Sequence, residues 1–147
     1  MSDRDIDNLR EQYTPQELMA TVKQARDYLR AALNGLVYEG YPIEVRMNHW
    51  GMLTKDGIYQ VCLGGLWHLL QVRRLTTHSR RLSDRHPLVA LLNVVRYRTL
   101  SRDTVLDLLG IDTEAYAYPP DYECDDPVAV LTFLDWLVEQ DVGNNRE

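Results

Sequence analysis

The sequence predicts a mainly α protein with a small β-hairpin, an α+β chain folded as a single compact helical domain. Three observations carry that expectation. Apolar residues recur at helical spacing behind a capping signature at Thr14, the period changes between Leu36 and Tyr59, and helical spacing then returns to the end of the chain. At 147 residues the chain has the usual size of one domain and buries roughly 70% of its unfolded surface. Its 45% hydrophobic content is too high for a disordered chain. Residues 1–13 are expected as a flexible N-terminal segment, 14–142 as the globular helical domain and 143–147 as a disordered tail.

The first helix is predicted over 14–34. In "TPQE", Thr14 is the N-cap, Pro15 takes the first helical position and Glu17 reaches back to complete a capping box. Leu18, Val22, Ala25, Leu29 and Leu33 then form one apolar stripe, and Asn34-Gly35 supplies a left-handed stop. From Leu36 the pattern shifts. "IEVRM" alternates as a strand does and Asp56-Gly57 is a tight-turn dipeptide, so a hairpin is expected around 43–61 with Trp50 packed on it.

A second helix is placed at 59–75, where "GIYQVCLGGLWHLLQV" (57–72) sets two adjacent glycines inside the most apolar run of the chain. Gln60, Gly64, His68 and Gln71 share one stripe. Cys62, Gly65, Leu66 and Leu69 take the other side, with Val61, Leu63 and Leu70 beside them, and a helix so apolar around its circumference is a buried one. An interior glycine costs about 1 kcal/mol relative to alanine. That cost is tolerable where a neighbouring element crosses closely over Gly64 and Gly65. A ligand pocket against Gly64, Gly65 and Trp67 is the sharper alternative.

The polar stretch "RRLTTHSRRLSDRHP" (73–87) is expected as a surface linker. A third helix follows at 87–98, with Leu88, Leu91, Leu92 and Val95 inward and Asn93 and Arg96 outward. Ser101 then caps a short helix whose Val105, Leu106, Leu108 and Leu109 face the core and which Gly110 ends. Pro119-Pro120 keeps "EAYAYPPDYECDDP" irregular. Asp126 and Pro127 open the last helix, 127–142, with Val128, Leu131, Leu134 and Val138 inward and Thr132, Asp135 and Glu139 opposite. Phe133 and Trp136 lie beside that stripe, where they either widen the buried face or form a patch for a homodimer.

Charge is distributed unevenly. Residues 1–70 carry a net −2, residues 71–103 a net +6 through eight arginines, and residues 104–147 a net −10. A basic middle and an acidic end either attract each other or present separate faces to partners. The N-terminal "MSDRDIDNLREQ" lacks the apolar core of a signal peptide, and the longest uncharged run, Gly57–Val72, is shorter than the roughly 20 apolar residues of a membrane span. A soluble, cytoplasmic protein with no membrane partner is therefore expected. Cys62 and Cys124 are read as reduced thiols.

From "VCLGGLW" through "LVALLNVVRYRTLSRDTVLDLLGI" to the acidic "DDP" before the final helix, the chain resembles a set of small phage- and prophage-encoded accessory proteins of unassigned function. In those, a C-L-A-G-A-type segment precedes a leucine-asparagine-x-x-arginine helix and a short glycine-ended helix. The resemblance covers about 57–140. Gly65 stands where an alanine is common, and the arginine-rich linker and the tyrosine-rich loop are not part of it. It implies a phage origin and brings no activity with it.

The candidate sites divide by chemistry. Catalysis needs a nucleophile beside a base, and Cys62 with His68 falls on different faces of a helix, about 9 Å apart along its axis. His49, His68, His78 and His86 match no metal-ligand spacing, and Asp121, Glu123, Asp125 and Asp126 lack the glycine and terminal glutamate of a calcium loop. No enzyme, metal or cofactor is expected. Residues 87–109 have the outline of a helix-turn-helix, and Arg73, Arg74, Arg80, Arg81 and Arg85 could grip phosphates, though Arg102, Asp103, Thr104 and Asp107 make a poor recognition surface. Protein binding has the strongest support. Tyr116, Tyr118, Asp121, Tyr122, Glu123 and Asp125 surround the stiff diproline, combining aromatic area that orders cheaply with charge that steers a basic partner. The expected function is a non-catalytic inhibitor of a host protein. The alternatives are a nucleic-acid-binding regulator using the arginine segment and a small-ligand sink at Gly64, Gly65 and Trp67.

Overall fold

The computed structural model describes residues 3–46, 51–72, 88, 91–92, 106–111 and 126–144. Asp3–Gln12 form helix α1, and Pro15–Leu33 form helix α2. The capping box that opens α2 is complete: Thr14 Oγ1 accepts from the Glu17 N–H and Glu17 Oε1 accepts from the Thr14 N–H, each at 3.1 Å. The other end closes with a Schellman arrangement, in which Leu36 N–H reaches Ala31 O at 3.0 Å and Gly35 N–H reaches Ala32 O at 3.3 Å. Gly35 adopts φ +97°, a left-handed conformation that a side chain would oppose. Leu18, Val22, Ala25 and Leu29 are buried as expected, but Leu33 is 39% exposed. The alternation of four and three residues continues through Ala32, which takes the inward position in its place.

The N-terminal segment, expected to be flexible, holds the ten-residue helix α1. Leu9 is its buried anchor, 2% exposed, and with Ile6 it is one of two apolar residues in a strongly polar run, too few to read as a periodic stripe.

A four-stranded sheet covers one side of α2. Its strands are β1 (Val37–Tyr38), β2 (Tyr41–Val45), β3 (Gly51–Leu53) and β4 (Tyr59–Val61), in the spatial order β1-β2-β4-β3. Tyr38 and Tyr41 pair across a two-residue turn in which Glu39 and Gly40 both have positive φ, the type I′ geometry that matches strand twist. The expected hairpin around 43–61 is only half present. β3 and β4 do form one, with Leu53 opposite Tyr59 and Gly57 at φ +80° in its turn. β2 pairs with β4 in parallel, Ile43 opposite Tyr59 and Val45 opposite Val61. A parallel pair needs a long crossover, and residues 46–58 supply it while carrying β3 to the far edge. Trp50 and the end of the predicted "IEVRM" strand lie outside the described residues.

The predicted helix at 59–75 begins later than its pattern suggests. Tyr59–Val61 is strand β4, and helix α3 runs Leu63–Val72. Cys62 is the junction between them. Its carbonyl accepts from the Leu66 N–H at 2.8 Å, and its Sγ accepts from the Gly65 N–H at 3.4 Å. Gly64 and Gly65 therefore occupy the first turn of α3 and not its interior, so the mid-helix glycine penalty does not apply to them.

Leu88, Leu91 and Leu92 are helical, and the latter two are fully buried. Residues Val95, Asn93 and Arg96 of the predicted third helix lie outside the described residues, as do Ser101 and Val105 of the short one. That short helix ends as expected at Gly110, again in a Schellman cap: Ile111 N–H donates to Leu106 O at 2.8 Å and Gly110 N–H to Asp107 O at 3.1 Å. Leu106, Leu108, Leu109 and Ile111 are all buried.

Helix α4 runs Pro127–Asn144, so the expected tail at 143–147 begins inside a helix. Asp126 caps it, with Oδ1 accepting from the Val128 N–H at 3.0 Å. The predicted inward stripe is rotated. Val130, Leu134 and Leu137 are fully buried, whereas Val128 is 61% exposed and Leu131 only half-buried. Apolar residues cover so much of α4 that spacing alone does not orient it. Contact with α2 does, because Asp135, expected to face solvent, meets Arg30 at 2.5 Å and Arg26 at 3.7 Å. Phe133 is buried and stacks on Trp136 with centroids 6.1 Å apart, so this pair widens the core face.

One cluster of buried side chains runs from Leu9 to Val138 and includes residues of every helix described. Helix α2 is its centre, packed on α3, α4 and β2. Polar bridges fix those contacts: Trp67 Nε1 donates to Gln24 Oε1 at 3.3 Å and Tyr28 OH to Gln71 Oε1 at 2.8 Å. Buried Thr21 returns its hydroxyl to Glu17 O at 3.2 Å, and Gln140 donates to Trp136 O at 3.1 Å. Among the described residues no buried side-chain nitrogen or oxygen lacks a partner, as a specified core requires.

Candidate functional site

Three parts of the fold bear on the candidate residues. The first is the frame around residues 112–125. Ile111, 4% exposed, is pinned by the Schellman cap, and Asp126 is pinned as the N-cap of α4. Ile111 and Asp126, the described residues on either side of the segment that holds Tyr116, Tyr118, Asp121, Tyr122, Glu123 and Asp125, are thus each fixed at a helix terminus. Those six residues lie outside the described residues, as do Arg73, Arg74, Arg80, Arg81, Arg85 and Cys124.

The second feature is the α3 start. Gly64, Gly65 and Trp67 are buried, with Trp67 2% exposed, and the indole N–H is taken by Gln24. These three residues belong to the packed core. Cys62 is buried at the α3 N-terminus. His68, 6% exposed, follows it by six positions, and no helix geometry brings the two onto one face. Among the described residues no group of three or more histidine, cysteine or acidic side chains is placed to hold a metal ion.

The third feature is a cleft of about 230 Å³ lined by Arg10, Tyr13, Pro15, Leu18, Asp107 and Leu108. Three local devices build its walls. Tyr13 continues α1, its N–H donating to Leu9 O at 3.0 Å. Pro15 and Leu18 come from the capped first turn of α2. Asp107 and Leu108 come from the Schellman turn, and Gly110 in that turn approaches so closely that a Cβ there would stand 3.0 Å from the Pro15 Cβ. Leu18 and Leu108 form an apolar floor, 1% and 3% exposed. Arg10 and Asp107 make an ion pair at the rim, 3.0 Å long and largely in solvent. Burial raises the Tyr13 phenol above its ordinary pKa, and the Glu17 carboxylate raises it further, so it stays a neutral donor.

The sequence offers no sign of this cleft. Arg10 and Asp107 are 97 positions apart, and each reads alone as a solvated charge. Only the α1 helix, itself unpredicted, brings them together.

A second aromatic group lies on the sheet. The Tyr59 ring meets Tyr38 at 5.6 Å and Tyr41 at 5.9 Å, both edge-on. Tyr41 and Leu53, each 43% exposed, flank it at one end of the sheet. Tyr59 itself is held protonated above its ordinary range, chiefly by burial and then by Glu39, Tyr38 and Tyr41.

Among the described residues no helix is long and apolar enough to cross a membrane. No protein-family profile matches the chain, and neither a curated protein nor a solved structure matches it.

Proposed function

We propose that this chain is a non-catalytic accessory protein of phage origin that binds and inhibits a protein of the bacterial host, in the host cytoplasm. The observation that carries the reading is that the residues flanking 112–125 are fixed, Ile111 in its buried turn and Asp126 at the cap of α4. A loop closed between fixed ends loses less freedom on binding than a free tail. Its three tyrosines and its diproline supply contact area at low entropic cost. Its acids steer it toward a basic surface, and competing for a nucleic-acid-binding face of the partner is one physical route to inhibition. The phage resemblance over 57–140 supports the same reading.

The test is an affinity pulldown from bacterial lysate, comparing wild type with the double variant Tyr118→Ala/Tyr122→Ala. One enriched protein that the double variant loses is the expected result. Recovery of nucleic acid alone, removed by nuclease or by salt, would instead assign the function to Arg73, Arg74, Arg80, Arg81 and Arg85, since phosphate contacts weaken steeply with ionic strength.

A further inference from the structure

We infer that the Tyr13–Leu108 cleft is a docking pocket for one apolar side chain of a partner polypeptide that carries a lysine or arginine beside it. The inference rests on the protein-binding reading above and gives it a second contact point.

Size selects the occupant. An engineered cavity of about 150 Å³ admits benzene, and sites for drug-sized ligands begin near 300 Å³. At about 230 Å³ the cleft lies between the two. It suits a leucine, phenylalanine or tryptophan side chain better than a cofactor. Its floor is apolar through Leu18 and Leu108, and the neutral Tyr13 phenol and the Pro15 ring complete walls of the kind on which hot-spot side chains seat.

Charge selects the flanking residue. Among the described residues the rim carries Asp107 and the single cation Arg10, with Glu17 close enough to perturb Tyr13 and exposed Asp7 one helical turn before Arg10. Arg10 and Asp107 offset each other, so among the described residues the charges left near the rim, Glu17 and Asp7, are acidic. A cation beside the docked side chain gains from them and an anion loses. The walls are also preorganised. The capping box, the Schellman turn and the tight Gly110–Pro15 approach hold them without an ordering cost at binding.

The experiment uses the full chain, 15N-labelled, with two small probes of matched shape and opposite charge, tryptamine and indole-3-propionate. Tryptamine is expected to shift the amides of Tyr13, Leu18, Leu108 and Gly110 with a dissociation constant of about 1 mM, as its size allows. Indole-3-propionate should bind roughly tenfold more weakly. Leu108→Trp, which fills the cleft, should abolish both sets of shifts. Because that change falls in the core, Asp107→Lys is the second variant; its site is exposed, the fold is expected to persist, and the preference for tryptamine should disappear. Absence of shifts at these amides in wild type overturns the pocket, and equal binding of the two probes overturns its charge selection.

The two readings fail separately. If wild type captures a protein that Tyr118→Ala/Tyr122→Ala loses and Asp107→Lys keeps at full yield, protein binding stands and the cleft is not its second contact. If wild type captures nothing, a polypeptide occupant is overturned whatever the probes do.

Discussion

Helix α2 and helix α3 begin in opposite ways. At Thr14 every determinant of the start is within four residues: an extended cap residue, a proline at the first helical position and a glutamate that returns its side chain to the cap. At Cys62 the start is buried, is preceded directly by strand β4, and is closed by a thiol in the role that serine or aspartate usually takes. The first start is legible because its code is local and wet. The second is hidden because a buried strand and a buried helix draw on the same apolar residues, so "YQVCLGGLW" carries no polar mark where one ends and the other begins. Gly64 and Gly65 mark the boundary in retrospect.

The largest expected effect breaks the buried side of this comparison. Trp67 is 2% exposed and joins α3 to α2 through Gln24. Trp67→Ala removes a large ring and orphans a glutamine oxygen, and should cost about 3–5 kcal/mol. Measured by urea unfolding, that is a large share of the stability of roughly 5–15 kcal/mol usual for a native protein. A loss below about 1 kcal/mol would mean that α3 is not a core helix.

What could be read in advance follows the same division. The capping box, Gly35, Gly110, the Asp56-Gly57 turn and the Asp126 cap were all legible, since each is a short-range signal with one structural solution. The parallel pairing of β2 with β4 was not, because Ile43 and Tyr59 carry the same side chains in either orientation, and only the position of β3 decides. The rotation of α4 was hidden by its apolar girth, and Asp135 looked like a solvent-facing acid until Arg26 and Arg30 of α2 met it. The cleft combined both difficulties: a helix with a single buried leucine, and a charge pair joined across most of the chain.

Next in size is Gly110→Ala. Gly110 sits at φ +74°, where an L side chain costs about 1–2 kcal/mol. The new methyl would also press on Pro15 at 3.0 Å. The expected loss is about 2 kcal/mol or more, read as a lowered urea midpoint. Gly35→Ala, at φ +97° with nothing within 4 Å, should show the backbone cost alone. The difference between the two isolates the α2 contact that supports the cleft.

The two caps then give the sharpest comparison. Thr14→Ala exposes the Glu17 N–H to water and should cost about 1 kcal/mol. Cys62→Ala leaves the Gly65 N–H without an acceptor in a buried site, where the penalty runs to about 1–3 kcal/mol. Cys62→Ser, which restores an acceptor oxygen, should recover part of that loss. If both alanine variants cost the same and serine changes nothing, the thiol is not a cap and only the backbone starts α3.

The smallest effect is alkaline and comes from the two tyrosines held above their ordinary range. Tyr59 is shifted up by burial first, then by Glu39, Tyr38 and Tyr41; Tyr13 is shifted up by burial and by Glu17. In each case the fold favours the neutral phenol. The stability this contributes is therefore fully present below the unfolded tyrosine value of about 10, and it falls away as pH rises through the higher folded values. The chain should lose urea resistance as pH rises above about 10. Tyr13→Phe/Tyr59→Phe removes the hydroxyls but keeps the rings, so its midpoint should fall less over the same rise. Single variants divide the effect between the cleft and the sheet. An equal fall in wild type and double variant would place the alkaline sensitivity elsewhere and leave both phenols as ordinary surface groups.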